Sequence, residues 1–300
     1  MTTLDVIIPS YGRPDMLART LHALQSSKER PDHIFVVARR DDLDTIAAAE
    51  EFARIVIVDE PGVLAAMWAG SRQATSDVVA FCDDDAEPSD TWVSEIRRAF
   101  DDPRVGGYGG RDVLYDGDEP RPTRLHSRVG VVTWWGRLIG NHHCGTGPAR
   151  DVDVLKGVNC AYRRELLAFP RGLRGDGAQA HFEVSIGLHV ASLGYRVVYD
   201  PTHQVIHRPA RRLDDDQRVN PSTEAIFNSA FNLERSLPRA TQTRRLLYVI
   251  VWGDTACPGL VRLLVGRGSR SLRARRSPSW RGTFAAWRER RSPFALQQVS

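Results

Sequence analysis

Short apolar runs alternate with longer amphipathic stretches through the first third of the chain. Leu4-Asp5-Val6-Ile7-Ile8 reads as a strand that ends at Pro9-Ser10-Tyr11-Gly12-Arg13-Pro14. A helix follows, which Asp15 can cap, with Met16, Leu17, Leu21 and Leu24 on one face. Residues 33–38 predict a second strand, 44–54 an Ala-rich helix, 55–58 a third strand, 63–73 a third helix and 78–82 a fourth strand. Strands separated by helices at this spacing imply βαβ units, right-handed crossovers and a mainly parallel sheet flanked by helices. The first strand–helix turn carries no GxGxxG, so the dinucleotide-binding form of such a sheet is not expected.

Beyond Pro88 the pattern loosens. Residues 90–100 predict a helix with Trp92, Ile96 and Phe100 on one face. Residues 105–115 hold Gly106, Gly107, Gly109 and Gly110, a run that lets backbone approach a ligand or bends a strand. Residues 129–135 look β-like, and 136–150 form a polar loop with His142-His143-Cys144. A strand over 154–162, a short helix over 163–167, a helix over 181–193 and two strands over 195–199 and 204–207 complete the α/β part. Helices over 222–237 and 239–251 and an Arg-rich tail follow. This divides the chain into a domain over 1–215, with halves 1–110 and 111–215, and a helical extension over 216–300.

Composition changes the picture in three places. The formal charge of the 300 residues is only +4, but arginines are frequent and acids nearly absent from Gly253 onward. Lys28 and Lys156 are the only lysines. The four cysteines show no CxxC spacing, which points to a reducing, cytoplasmic compartment rather than a disulfide scaffold. Met1 leads straight into the first strand, so no leader is expected, and no uninterrupted apolar run reaches the length of a spanning helix.

The most informative stretch is Val78-Val79-Ala80-Phe81-Cys82-Asp83-Asp84-Asp85. Open α/β sheets bind ligands beyond the carboxyl ends of their strands, so these acids lie where such a sheet does its chemistry. Three adjacent carboxylates resist ionising together unless a cation compensates them. A hard divalent ion, Mg²⁺ or Mn²⁺, prefers such oxygen ligands. The competing reading is a solvated acidic turn.

Four stretches, in order, resemble the family 2 glycosyltransferases: residues 6–13; residues 58–62 with Gly70, leading into Asp83-Asp84-Asp85; residues 156–164; and residues 181–207, from His181-Phe182-Glu183 to Val205-Ile206-His207. The resemblance covers about residues 4–210. It implies a GT-A fold and metal-dependent, inverting transfer of a sugar from a nucleoside-diphosphate donor (UDP-, GDP- or dTDP-linked) to a saccharide or lipid-linked acceptor. It implies that Pro9, Ser10, Tyr11 and Arg13 hold the nucleotide, together with Glu60, Asp83 and Asp84, and that Asp83, Asp85 and His207 hold the metal. Glu183 stands where the family's general base begins its helix. The usual Glu-Asp pair is Phe182-Glu183 here, and the alternative role is a Glu that complements the helix dipole. The Asp that commonly reads the base at the end of the second strand is missing, and Asp41 or Asp42 stands near its place.

On the acceptor side the candidates are Trp134, Trp135 and Asn159; the tryptophans could stack on a sugar or touch a lipid, and an aromatic pair in the core is the alternative. His142-His143-Cys144 matches no zinc-finger spacing and is expected to contact diphosphate or acceptor. Residues 246–265 are apolar but broken by Asp254, Pro258 and Arg262. Flanked by Arg244, Arg245, Arg267, Arg270, Arg273, Arg275 and Arg276, they read either as an interfacial anchor on anionic lipid or as a helix packed on the core. A catalytically inactive carbohydrate-binding protein on the same fold is a further reading. A nucleic-acid binder with a basic tail is another, but recognition motifs are missing and no nucleic-acid partner is expected.

Overall fold

A computed structural model describes residues 2–210, 221–265, 270–289 and 296–299. The expected boundary at 215–216 and Arg267 lie outside these residues, as do the side chains of Arg270 and Arg273. The first half follows the predicted alternation: β1 (Leu4–Pro9), α1 (Pro14–Gln25), β2 (His33–Arg39), α2 (Leu43–Ala49), β3 (Arg54–Val58), α3 (Val63–Gln73), β4 (Val78–Cys82), β5 (Ala86–Pro88) and α4 (Trp92–Ala99). Then come β6 (Val105–Asp116), β7 (Glu119–Pro120), the hairpin of β8 (Val131–Val132) and β9 (Leu138–Ile139), and a 3-10 turn at His142–Cys144. After these come β10 (Arg150–Asp151), β11 (Asn159–Arg163), β12 (Ala168–Pro170), α5 (Phe182–Ser192) and β13 (Arg196–His207). The extension contains α6 (Thr223–Ser236), α7 (Arg239–Val251), α8 (Leu260–Val265), α9 (Arg270–Glu289) and β14 (Leu296–Gln298).

The main sheet runs β10-β13-β6-β11-β4-β1-β2-β3, with β5 on β13 and β7 on β6 at its margins. β1, β2, β3 and β4 are parallel, as are β6 and β13; β11 joins the two groups antiparallel to both neighbours. Successive residues of the buried strands serve opposite faces. Val6, Ile8, Val36 and Ala80 meet Leu17, Leu21, Trp92 and Ile96 from α1 and α4. Ile7, Phe35, Val79 and Phe81 meet Met67 of α3 and Phe182 and Ile186 of α5.

Several local expectations change. The two strands predicted over 195–207 are one strand, β13, whose register with β6 shifts between Asp200 and Gln204. The strand predicted from 154 begins only at Asn159, and the helix predicted to 54 stops at Ala49. The glycine run lies inside β6 and serves packing between strands, not a ligand. A Cβ on Gly110 would sit 1.8 Å from the His203 carbonyl oxygen, and one on Gly109 would sit 2.5 Å from that of Asn159. The extension is tied back to the α/β domain. α6 lies against α5 through Leu233, Leu237 and Val184, and β14 pairs with β12. Residues 246–265 form two helices separated by a turn, and Arg245 is buried, donating to the Gly136 carbonyl rather than flanking an anchor.

Two predictions follow from this packing. Gly110→Ala is expected to cost about 3 kcal/mol, because β6 and β13 must separate to admit the methyl group; urea unfolding measures it. Burial lowers His142 from its ordinary 6.5 to about 4, opposed by its hydrogen bond to the Val154 carbonyl. A folded-state value below the unfolded one gives stability that is complete above 6.5 and is lost as pH falls toward 4. The unfolding midpoint should therefore drop over that window, and less steeply in His142→Gln.

Candidate functional site

The hollow lies beyond the carboxyl ends of β1 to β4, where a parallel sheet leaves its strand ends open. It has a volume of about 270 Å³. Val37, Val58, Val63 and Ala66 give it apolar walls, Pro9, Ser10, Tyr11 and Arg39 line one side, and Asp83, Asp84 and Asp85 another. Glu60 and the Asp176-Gly177-Ala178 loop complete the lining. That loop is seated on the start of α3: Val63 N–H donates to the Gly177 carbonyl at 2.9 Å, and Leu64 N–H to Gln179 Oε1 at 3.1 Å. Gly62 is required there. Its φ is +108°, and a Cβ would lie 2.7 Å from Gln179 Oε1.

The three acids have different surroundings. Asp84 is buried, accepting from Ser10 Oγ at 2.8 Å and from Arg13 Nη1 at 2.8 Å. Burial pushes its pKa up to about 6, with Asp85 adding to the rise and Arg13 opposing it. It braces the Ser10 turn against the acidic turn. Burial works against the charge on Arg13, but its acidic neighbours, Asp84 first, more than offset that and raise it. Thr20 of α1 donates its hydroxyl to the carbonyls of Asp84 and Ala86, which fixes the backbone of the same turn. Asp85 accepts from the Ala210 N–H at 2.8 Å, and its carbonyl accepts from the Arg208 N–H.

One ligand atom from each of Asp83, Asp85 and His207 lies within 4.8 Å of the others. His207 is buried, and its Nε2 is 3.2 Å from Asp85 Oδ1 without the alignment of a hydrogen bond. Its Nδ1 is 3.2 Å from Asp112 Oδ2. With Nδ1–H donated to that carboxylate, the Nε2 lone pair is presented to the Asp83 and Asp85 side, the arrangement of a metal-binding histidine with its outer partner. The Lys156 ammonium contacts the other side of the same Asp112 oxygen. Burial opposes ionisation of Asp112, but Lys156 and His207 overcome it and hold the carboxyl below its usual range. Burial likewise opposes charge on His207, and its two carboxylate neighbours raise it. Two carboxylates and one imidazole fit a hard or borderline divalent cation.

Glu183 stands in the first turn of α5 beside Gly157. Burial raises its pKa. Its own backbone N–H and the Lys156 charge oppose the rise, and Asp83 adds to it. The catalytic candidate is thus electrostatically coupled to the acidic turn.

Pro9, Ser10, Tyr11, Arg13, Glu60, Asp83, Asp84 and Asp85 all line the one hollow, and His207 joins it through Asp83 and Asp85. Asp41 is exposed and does not line it. Asp42 turns inward instead, accepting from Gly12 N–H at 2.6 Å and capping α2. The charged β2 residue at the hollow is Arg39, whose guanidinium lies 5.4 Å from the Tyr11 ring centre. Asn159 is 1% exposed, accepts from Trp92 Nε1 and donates to the His203 carbonyl. Both ends of its amide are used inside the protein, so it does not reach an acceptor. Trp134 and Trp135 are exposed, not core. His142 is buried against Val154. The residues sequence reasoning missed are Arg39, Asp112, Lys156 and the 176–178 loop. The loop has a local signal, Gly175-Asp176-Gly177, and Lys156 opens the family-like stretch 156–164, where the resemblance gives it no role.

Asp112→Asn should lower Mn²⁺ affinity by about 10–100-fold while leaving the fold intact, since the outer partner sets the His207 tautomer. Calorimetric titration of the protein with Mn²⁺, without donor, measures this.

No curated protein matches the chain in sequence. Among solved structures it is similar to GalNAc-T7 with UDP, GalNAc and Mn²⁺, at 16% identity and a TM-score of 0.63, over 83% of this chain and 50% of that one. It spans about half the length of that protein. It is also similar to the mannosyltransferase PcManGT from Pyrobaculum calidifontis with GDP-Man and Mn²⁺, at 16% identity and a TM-score of 0.54, over 98% and 76% of the two chains. A mycobacterial protein matches at 18% identity and a TM-score of 0.52, over 80% and 76%. At these identities the likeness is one of fold, the GT-A glycosyltransferase fold. The family model for glycosyl transferase family 2 matches residues 5–168, more than half of the chain, and the chain belongs to that family.

Proposed function

We propose that the protein is an inverting, metal-dependent transferase. It moves a sugar from a nucleoside-diphosphate donor to the hydroxyl of a saccharide or lipid-linked acceptor. The setting is polysaccharide, glycolipid or glycoconjugate synthesis at the cytoplasmic face of a membrane. The observation that carries this reading is a single hollow joining the Ser10 turn to Asp83 and Asp85, which share a ligand cluster with His207. Residues 1–110 supply most of the donor side, 111–215 add His207 and the 176–178 loop to it and serve the acceptor, and 216–300 are the extension.

Apolar walls from Val37, Val58 and Val63 suit a flat base, with Tyr11, Arg39 and Glu60 at its rim. Ser10 is held by Asp84, which pre-positions the turn against ribose and phosphate. Mg²⁺ or Mn²⁺ held by Asp83, Asp85 and His207 would supply Lewis-acid stabilisation of the departing nucleoside diphosphate. Glu183 accepts the proton of the acceptor hydroxyl as that oxygen attacks the anomeric carbon from the face opposite the leaving group. Its raised pKa makes the carboxylate a stronger base than an exposed Glu.

A thermal-shift screen of UDP-, GDP- and dTDP-sugars with and without Mn²⁺ tests the donor reading. One donor is expected to raise the midpoint only with metal. If none does, the inactive-scaffold reading replaces this one. Glu183→Gln is expected to lower kcat by about 10²–10⁴-fold with the donor shift retained. Unchanged transfer by that variant would assign the base elsewhere.

A further inference from the structure

Trp134 and Trp135 stand at the β8–β9 turn, edge to face with ring centres 4.5 Å apart, and are 61% and 48% exposed. Arg244 of α7 lies 4.6 Å from the Trp134 ring centre. Arg245, the next residue, donates to the Gly136 carbonyl at 2.8 Å. The hairpin tip is therefore seated on the early turns of α7. Along α7, Leu247 and Val251 follow one helical turn apart, both exposed, and exposed Trp252 ends the stripe. Past a tight turn, closed by the Gly253–Pro258 bridge, Leu260 and Leu264 of α8 repeat the same spacing and are again exposed. Large apolar side chains grouped in this way are unlike scattered surface leucines and mark a surface that is covered in use.

The charge on the same elements has one sign. Residues 131–139, α7 and α8 contain no Asp or Glu, and Arg137, Arg239 and Arg244 lie on the hairpin tip and on α7. Trp280 of α9 donates its Nε1–H to the Pro258 carbonyl at 3.0 Å. This brings a helix carrying Arg276, Arg281 and Arg288 against the same turn. Guanidinium groups pair with phosphate as forks, and tryptophan places an apolar ring and a polar N–H together at a water–lipid boundary. No helix among the described residues is long and apolar enough to cross a membrane, so the face would lie on a bilayer and not in it.

We propose that this face, the Trp134–Trp135 tip with the outer sides of α7 and α8, docks on a bilayer surface containing anionic phospholipid. Its tryptophans and leucines enter the headgroup region and its arginines contact the phosphates. The proposal deepens the membrane-proximal part of the proposed function, and its test does not depend on sugar transfer. Sequence alone leaves the tryptophans between sugar and lipid, and residues 246–265 between an anchor and a helix packed on the core; the fold brings the Trp134 ring against Arg244 of α7.

Co-sedimentation of the full chain with vesicles tests it. Vesicles with about a third phosphatidylglycerol should bind at least about tenfold more tightly than phosphatidylcholine alone, and less so as salt rises. Arg244→Gln should weaken binding about fivefold, the effect of one basic residue at an anionic surface. Trp135→Ser with Leu247→Ser should abolish sedimentation while leaving the melting midpoint and the metal-dependent donor shift unchanged. Equal binding to both vesicle types, or full binding by the double variant, would overturn the proposal. So would a dimer in light scattering that the double variant dissociates, which would make the occupant a second copy. RNA binding at physiological salt that the double variant loses would also overturn it.

Discussion

Three carboxylates in a row at the end of a buried strand are an electrostatic problem, and much of the structure around them answers it. Asp84 is turned into the protein, where Ser10 and Arg13 meet it. Asp85 is held by the backbone of residues 208–210 at the end of β13, which also delivers His207. Asp112, from the neighbouring strand β6, takes the other side of that imidazole and is itself met by Lys156. The result is a connected chain of polar side chains, Asp85, His207, Asp112 and Lys156, that runs from the turn after β4 to the loop before β11. Each link is buried or half-buried, in a medium that solvates polar groups poorly, so each is oriented by its neighbours rather than by water. A donor diphosphate would thus meet an acidic turn already organised toward a single cation.

The parts legible in the sequence have short-range causes. Apolar runs of four to six residues with helical stretches between them specify β1 to β4 and their parallel pairing. The open strand ends then locate Ser10 and the acids together without knowledge of any contact. His207 is legible for a similar reason, as the last residue of an apolar run. What the sequence does not carry is register across the sheet. Asp112 reaches His207 because β6 and β13 pair in parallel with Leu114 opposite His207, and that register depends on a shift between Asp200 and Gln204. Asn159 fails as an acceptor residue for the same kind of reason. It faces Cys82 across β11 and β4, which puts its amide between Trp92 and His203 in the interior. Asp41 and Asp42 differ by one position, and only the turn geometry decides that Asp42 is the one tied to Gly12.

The β2 end also separates this chain from the pattern its motifs follow. An acid there would meet a base with a carboxylate, but Arg39 stands at the hollow and lies against Tyr11. A guanidinium donates where a carboxylate accepts, so the rim presents donors from Arg39 at the end of β2 and an acceptor from Glu60 in the loop after β3. That distribution of donors and acceptors differs from the one the motifs imply.

The catalytic candidate is linked to the extension as well as to the metal site. The loop entering α5 holds two non-glycine residues at positive φ, Gln179 at 43° and His181 at 75°. Such conformations persist only where the surroundings hold them in place. Gln179 is held by the Leu64 N–H at the start of α3. His181 is held by α6, through Ser229 at its Nε2 and through the Ser236 hydroxyl at its carbonyl. Glu183 follows two residues later, so its position depends on α6 as much as on the sheet. The same α6 packs against α9, and Arg174, from the loop before α5, stacks over Phe231 of α6 and pairs with Glu289 of α9. The extension is therefore part of the scaffold of the active face.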